Sequence, residues 1–119
     1  MHPVLDRLRR GGKVLLDGAM GTELERRGVA TPLPLWSAAA LESHPEAVRA
    51  IHTEYAASGA EVLKTCTFRT TPRTFAKAGR SPREAETATR RTVGLARQAA
   101  ANAGKPVAVA GTLAPLEDC

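Results

Sequence analysis

The chain has 119 residues, of which 43% are hydrophobic and 24% are charged. This composition is typical of a folded globular protein and argues against disorder. The length allows one domain with a buried core, but it excludes a closed eight-stranded α/β barrel, which takes about 250 residues.

The charge balance is basic, with 17 Lys and Arg against 12 Asp and Glu and a formal net charge of +5. The basic residues are scattered, and one Trp, one Tyr and two Phe are too few for a platform on which bases stack. No role with nucleic acid is therefore predicted. The sequence also lacks a run of about 18 consecutive apolar residues, so no membrane association is predicted.

Two observations predict a cytoplasmic protein. Near the N-terminus, Val4 and Leu5 are followed at once by charged residues, which interrupts the apolar core that a signal peptide needs. The two cysteines, Cys66 and Cys119, are far apart and form no CxxC unit, which fits a reducing compartment.

Hydrophobic periodicity predicts strands that alternate with helices. Three strands are predicted, at 13–17, 61–66 and 106–112. Five helices are predicted, at 3–10, 22–28, 43–58, within 68–78 and at 81–103. The first strand has three consecutive apolar residues, as in a strand buried on both faces of a sheet. The order βαβαβ predicts an α/β fold with parallel strands and right-handed crossovers.

Three helix starts carry the pattern of a capping box, in which Ser or Thr is followed three residues later by Glu. They are Thr22 with Glu25, Ser43 with Glu46, and Ser81 with Glu84. The last is the clearest, because Pro82 stands at the first helical position. Small residues along one stripe of that helix predict close packing on the sheet.

The first strand ends in a glycine-rich turn with the chemistry of a ligand site, because ligands of parallel sheets bind at the carboxyl ends of strands. Gly18 and Gly21 let the backbone approach a ligand, and the N–H groups of the next helix suit a carboxylate. Asp17 suits a ligand ammonium group. Together they predict a site for an amino-acid zwitterion. The alternative is a tight turn that Asp17 only holds together.

The second strand ends in Thr65, Cys66 and Thr67, which offer hydroxyls and a thiol to the same edge of the sheet. The alternative is a threonine-rich strand end in which Cys66 is a small buried apolar residue. No Ser–His–Asp set is predicted, because the three histidines lie away from the strand ends. We expect His2, His44 and His52 at the surface or at helix ends.

Five segments, in the same order along the chain, together resemble the homocysteine S-methyltransferase family. They are 15–24 (LLDGAMGTEL), 35–38 (LWSA), 51–55 (IHTEY) before Gly59 and Ala60, 65–70 (TCTFRT) and 111–115 (GTLAP). Each segment alone is a weak signal, but the set covers nearly the whole chain.

The resemblance implies a (β/α)₈ barrel, of which residues 1–119 would form the first three strands and leave the barrel open. It implies transfer of a methyl group from a sulfonium donor, S-methylmethionine or S-adenosylmethionine, to homocysteine, giving methionine. It also implies zinc, which three family cysteines bind and which holds homocysteine as a thiolate. Trp36 is expected to plug the base or side of the barrel.

Carried over by position, the resemblance assigns a substrate-binding set and no catalytic or metal-binding residue. The substrate-binding set is Asp17, Gly18, Ala19, Met20, Gly21, Thr22, Thr65, Cys66 and Thr67. Cys66 stands where the family often has Asn. The zinc cysteines of the family come later in the chain than Cys66 and do not correspond to Cys119, so neither residue is given a metal role.

Three hypotheses follow for the chain as a whole. The first is an incomplete and inactive part of the methyltransferase, poorly folded or oligomeric alone, whose partner is the missing barrel half or a second copy. The second is an interaction module that pairs with another chain to complete a barrel. The third is a small anion-binding α/β domain, which rests on the glycine-rich turn alone.

Overall fold

The structure is a computed structural model that describes residues 2–115. Its helices are α1 (Pro3–Arg9), α2 (Gly21–Arg26), α3 (Ala40–Ser43), α4 (Pro45–Ala57), α5 (Pro72–Lys77) and α6 (Pro82–Ala101). A 3-10 turn at Trp36–Ala39 leads into α3. Its strands are β1 (Val62–Lys64) and β2 (Ala108–Ala110). The predicted alternation of helix and strand is confirmed from α4 onward, with shorter strands.

The two strands form a parallel sheet in which Leu63 stands opposite Val109. The first predicted strand, at 13–17, is present only as an isolated parallel bridge between Leu16 and Val62. Three backbone bonds hold it: Asp17 N–H donates to Val62 O at 3.0 Å, and Leu15 O accepts from Glu61 N–H at 2.8 Å and from Val62 N–H at 3.3 Å. The prediction of three full strands was therefore wrong, and the observed sheet is two-stranded and open.

The first segment also differs from its prediction in burial. Leu15 is 57% exposed and Leu16 is 54% exposed, so neither face of this segment is covered as a strand inside a parallel sheet would be. Leu113 is 97% exposed beyond β2. Large apolar side chains therefore stand open on both sides of the sheet.

The core lies between the sheet and the helices, and α6 forms its longest wall. The small stripe of α6 is buried as predicted, at Ala85, Ala88, Thr92, Ala96 and Ala99. Small side chains let α6 approach α4 closely, and both helices contact β1. Two buried clusters result, one around Leu24, Leu41, Ile51 and Phe75, the other around Leu63 and Val107.

One of the three predicted capping boxes is present. Ser81 Oγ accepts from Glu84 N–H, and the Glu84 carboxylate accepts from Ser81 N–H, at 3.1 and 3.2 Å. The box at Thr22 was wrong, because α2 begins earlier, behind Met20 in a right-handed helical conformation. An N-cap needs an extended backbone that exposes its side chain to the next turn.

The predicted box at Ser43 was also wrong. Ser43 belongs to α3, and its hydroxyl donates back to Ala39 O at 3.2 Å instead of capping α4. His44 stands at the N-cap of α4 without a side-chain cap bond. Within residues 2–115, no helix has the length and apolar character to span a bilayer.

Candidate functional site

A cleft of about 440 Å³ lies at the carboxyl ends of the two strands and the bridging segment. Its walls come from the glycine-rich turn, the 3-10 turn and the loops after β1 and β2. The lining residues are Asp17, Gly18, Ala19, Met20, Gly21, Thr22, Trp36, Ser37, Ala38, Lys64, Thr65, Cys66, Phe68, Arg69 and Thr112. Eight of the nine sequence-predicted site residues line this cleft, and Thr67 stands behind them.

Asp17 is the buried acid of the cleft, with 3% of its side chain exposed. Oδ2 accepts a hydrogen bond from Lys64 N–H at 3.1 Å, which ties the carboxylate to β1. Oδ1 lies 3.4 Å from Lys64 Nζ, within ion-pair range, but receives no hydrogen bond. One carboxylate oxygen thus accepts a backbone hydrogen bond, and the other lies in ion-pair range of Lys64 without a hydrogen bond.

The turn after Asp17 is held from below by Tyr55 of α4. The Tyr55 hydroxyl donates to Ala19 O at 2.8 Å. A Cβ at Gly18 would stand 2.7 Å from Tyr55 Oη and 3.0 Å from two ring carbons. Only glycine fits at this position without displacing the ring. The turn therefore presents its backbone to the cleft while Tyr55 packs beneath it.

A threonine cluster joins the ends of β1 and β2, which we define as the clasp of Thr65, Thr67 and Thr112. Thr67 Oγ1 donates to Thr112 O at 2.6 Å and lies 2.9 Å from both other hydroxyls. Thr112 Oγ1 donates to Thr65 O at 3.0 Å. The Thr67 hydroxyl is thus used within the fold, whereas Thr65 also borders the cleft.

Cys66 reaches the cleft from the far side of the same loop. Its N–H donates to Thr92 Oγ1 of α6 at 3.0 Å, so α6 fixes the loop that follows β1. Burial raises the pKa of the Cys66 thiol to about 12, because the interior disfavours a thiolate. The side chain packs against the larger core cluster, which agrees with the alternative of a small apolar residue.

Seven of the lining residues were missed by the sequence analysis, among them Trp36, Phe68 and Arg69. Trp36 was expected at the base or side of a barrel, but it lines the cleft and is 42% exposed. Its backbone has φ +50°, a conformation rare for large side chains. The guanidinium carbon of Arg69 lies 4.2 Å from the Trp36 ring centroid. No local pattern links Trp36 to Phe68 and Arg69, which lie more than thirty positions later in the chain.

The positions of the histidines agree only in part with the prediction. His2 caps α1 as expected, because its Nδ1 accepts from Val4 N–H at 3.2 Å. His52 was expected at the surface, but it is fully buried under the turn, and neither ring nitrogen has a hydrogen-bond partner. Burial lowers the pKa of His52, and the negative charge of Asp17 partly opposes this shift. His52 is therefore a neutral imidazole beneath the site.

The described residues were tested as ligands for zinc, which the family resemblance implies. Across residues 2–115, no three His, Cys, Asp or Glu side chains come together as a metal site. The Cys66 thiol is protonated at neutral pH, whereas zinc binds a thiolate. These residues do not fit the metal. Cys119 lies outside the described residues.

The structure is an open α/β protein with a cleft at the carboxyl ends of its parallel strands. A sequence model of the homocysteine S-methyltransferase family matches residues 14–119. The chain therefore belongs to the homocysteine S-methyltransferase family, as its five motifs indicate.

Individual relatives agree with this assignment. The chain is 37% identical over 97 residues to selenocysteine methyltransferase of Astragalus bisulcatus, covering 81% of this chain and 29% of that protein. It is 38% identical over 99 residues to homocysteine S-methyltransferase YbgG of Bacillus subtilis, covering 83% and 31%. The chain thus spans about three-tenths of the length of these curated relatives.

A solved structure is also similar. The metallated form of the homocysteine methyltransferase MmuM from Escherichia coli superposes with a TM-score of 0.82 at 37% sequence identity. The match covers 94% of this chain and 41% of that chain. The two-stranded sheet and its helices therefore have the arrangement of the corresponding part of that enzyme.

Proposed function

We propose that residues 1–119 provide the homocysteine-binding part of a methyltransferase. In the proposed reaction, the homocysteine thiol loses its proton to solvent, and the resulting thiolate attacks the methyl carbon of a sulfonium donor, S-methylmethionine or S-adenosylmethionine. The new S–CH₃ bond gives methionine, and the electron pair of the broken bond leaves with the donor sulfur as a neutral thioether. Because the curated relatives are about three times longer, this activity is proposed for a complete protein that contains this cleft.

The observation that carries the proposal is the pairing of Asp17 with the glycine-rich turn. A buried carboxylate with one oxygen that receives no hydrogen bond suits the ammonium group of an amino acid. Beside it, Gly18 to Thr22 present backbone that a ligand can approach. Thr65 and Cys66 border the same space, and Thr67 holds their loop through the clasp.

Calorimetric titration of L-homocysteine under reducing conditions tests the proposal. Asp17→Asn keeps the shape of the side chain but removes its charge, so we expect affinity to fall by about tenfold or more. Asp6→Asn is the matched control, because Asp6 is 45% exposed on α1. We expect it to leave the affinity unchanged.

Two results would contradict the proposal. The first is equal binding by the wild type and Asp17→Asn. The second is tighter binding of inorganic phosphate than of homocysteine, which would favour a small anion-binding domain. In the complete protein, the donor is identified by mass spectrometry of methionine formed from isotopically methyl-labelled S-methylmethionine or S-adenosylmethionine.

A further inference from the structure

Asp17 and Lys64 hold each other through two reciprocal hydrogen bonds between side chain and backbone, and we define them as the charge pair. Asp17 Oδ2 accepts from Lys64 N–H at 3.1 Å, and Lys64 Nζ donates to Asp17 O at 3.3 Å. Lys64 ends β1, and Asp17 follows Leu16, which bridges to Val62 of the same strand. The backbones of two neighbouring segments therefore fix a negative and a positive group at the wall of the cleft.

The contact between the two charged groups themselves is loose. Asp17 Oδ1 lies 3.4 Å from Lys64 Nζ, longer than the roughly 2.7–2.9 Å of a charge-assisted hydrogen bond, and Oδ1 receives no hydrogen bond. The Asp17 side chain is 3% exposed, whereas the Lys64 side chain is 38% exposed. The ammonium group has room on the cleft side, and the carboxylate is enclosed. A ligand ammonium group therefore reaches Oδ1 when the Lys64 side chain turns aside.

An α-amino acid supplies a partner for both members of the charge pair. Its ammonium nitrogen and carboxylate oxygens are separated by about 3 Å, from standard bond lengths, which is close to the 3.4 Å between Asp17 Oδ1 and Lys64 Nζ. A lysine ammonium has three donors on a flexible stem. Lys64 Nζ can therefore turn from Oδ1 to a ligand carboxylate and keep its hydrogen bond to Asp17 O. An amine without a carboxylate displaces Lys64 and gives it no new partner.

The glycine-rich turn offers less to a carboxylate than its sequence predicts. Helix α2 has only six residues, and Met20 at its N-cap contributes no side-chain bond. A helix of that length sums few peptide dipoles, so its end attracts an anion weakly. A full positive charge on a side chain that already lines the cleft is the stronger partner for the carboxylate of an amino acid.

We propose that Lys64 turns from Asp17 Oδ1 to the α-carboxylate of homocysteine when Oδ1 receives the α-ammonium group. The ligand then lies beside the charge pair with its two charges in the opposite order, and each protein charge faces a ligand charge. Lys64 is in this way a specificity residue, which selects α-amino acids over simple amines. The inference rests on the proposed function, because it takes homocysteine as the ligand.

Calorimetric titration of the full chain compares two thiols that differ in the carboxylate: L-homocysteine and 3-aminopropane-1-thiol. Dissociation constants are measured for the wild type and for Lys64→Met, which keeps an apolar side chain of similar length and removes the charge. We expect homocysteine to bind Lys64→Met about tenfold more weakly, the loss of a hydrogen bond between charged groups. We expect the amine to bind about two- to fivefold more tightly, because no lysine has to leave Asp17.

These opposite signs separate specificity from damage to the fold, because a misfolded variant binds both thiols more weakly. Lys64→Arg keeps the positive charge, and we expect it to recover most of the homocysteine affinity that Lys64→Met loses. Lys105→Gln is the matched control, because Lys105 is exposed ahead of β2, at the end of the strand opposite the cleft. We expect it to bind both thiols as the wild type does.

The outcomes separate this inference from the proposed function. If Asp17→Asn weakens homocysteine binding and Lys64→Met leaves the ratio of the two affinities unchanged, the inference is overturned and the proposed function stands. Equal weakening of both thiols by Lys64→Met would assign Lys64 a structural role only, and the inference is again overturned. If the wild type does not bind homocysteine, the inference and the proposed function fail together.

Discussion

The turn after Asp17 and the loop after β1 border the same cleft, yet different interactions hold them. The turn is held by packing and one long-range hydrogen bond, from the Tyr55 hydroxyl beneath it to Ala19 O. The loop is held by the hydrogen bonds of the clasp and by Thr92, which accepts from Cys66 N–H. The turn leaves its backbone accessible from the cleft, whereas the hydroxyls of the loop are already hydrogen-bonded within the fold.

This contrast shows that a polar sequence does not by itself make a polar site. The threonines after β1 suggest a row of ligand donors, but Thr67 already bonds to its neighbours across the strand ends. The glycines after residue 17 carry no functional group at all, and they form the more open wall of the cleft. Predictions that separate packing from hydrogen bonding test the difference directly.

The largest effect is expected at Gly18. Gly18→Ala places a Cβ 2.7 Å from Tyr55 Oη, so the ring must move and its bond to Ala19 is lost. We expect a loss of about 1–3 kcal/mol in the free energy of unfolding, measured by urea denaturation. In a Tyr55→Phe background the cost of Gly18→Ala should shrink, because the closest atom is absent. Additive effects of the two changes would refute the packing account.

Gly94 gives the matched glycine control. It lies inside α6, and a Cβ there meets nothing within 4 Å. Gly94→Ala should therefore raise the free energy of unfolding by about 0.5–1 kcal/mol, because alanine favours the helix. A destabilising result at both positions would show that the loss at Gly18 is not specific to the turn.

The clasp is a second target, with an expected effect of comparable size. Thr67→Val removes the hydroxyl that donates to Thr112 O. Thr112 O and the Thr65 hydroxyl then lose their hydrogen bonds to residue 67. We expect a loss of about 1–3 kcal/mol in the free energy of unfolding. Thr67→Ser restores the hydroxyl and should recover most of this loss. Thr87→Val changes an exposed threonine of α6 and should change the free energy of unfolding little. Equal losses at positions 67 and 87 would show that the clasp does not cause the loss.

The buried imidazole of His52 gives a smaller, pH-dependent effect. Because burial lowers its folded-state pKa, the unfolded chain takes up a proton below about pH 6.5 that the folded chain resists. Stability due to this group is therefore present above that pH and is lost on acidification, by at most about 1.4 kcal/mol per pH unit. Urea denaturation between pH 7.5 and 5 should show that the free energy of unfolding falls more steeply with acidification for the wild type than for His52→Phe.

His44→Gln is the control for the pH series, since His44 lies exposed at the start of α4. This variant should keep the wild-type pH dependence of the free energy of unfolding. If His52→Phe also keeps that pH dependence, another group controls stability in this range, and the buried imidazole does not explain it.

The sequence predicted the elements that local signals define. Ser81 with Pro82 and Glu84 starts α6 where expected, because cap, proline and acid all act within one turn. Ser43 has the same pattern, with Glu three residues later, but it lies inside α3, and tertiary packing decides the path of that helix. The family and the edge of the sheet that holds the cleft were also predictable, because motif order and strand direction fix both.

Long-range features were not predictable from local pattern. The contact between the Trp36 ring and Arg69 joins the 3-10 turn to a loop more than thirty residues later. His52 lies four residues after Val48 and four before Ala56 on α4, so it shares their buried face, but an imidazole is usually taken for a surface residue. The segment at 13–17 has the composition of a buried strand and remains half open, because only one side of it meets described chain.

The ion pair between Lys64 and Asp17 makes ligand capture an exchange. Lys64 Nζ already stands 3.4 Å from Oδ1, where the ammonium group of an amino acid would arrive. Under the proposed function, binding would replace one ammonium–carboxylate pair with another, and the net gain would be the difference between them. Lys64 would then compete with the ligand for Asp17, and selectivity would depend on what else the incoming molecule contacts.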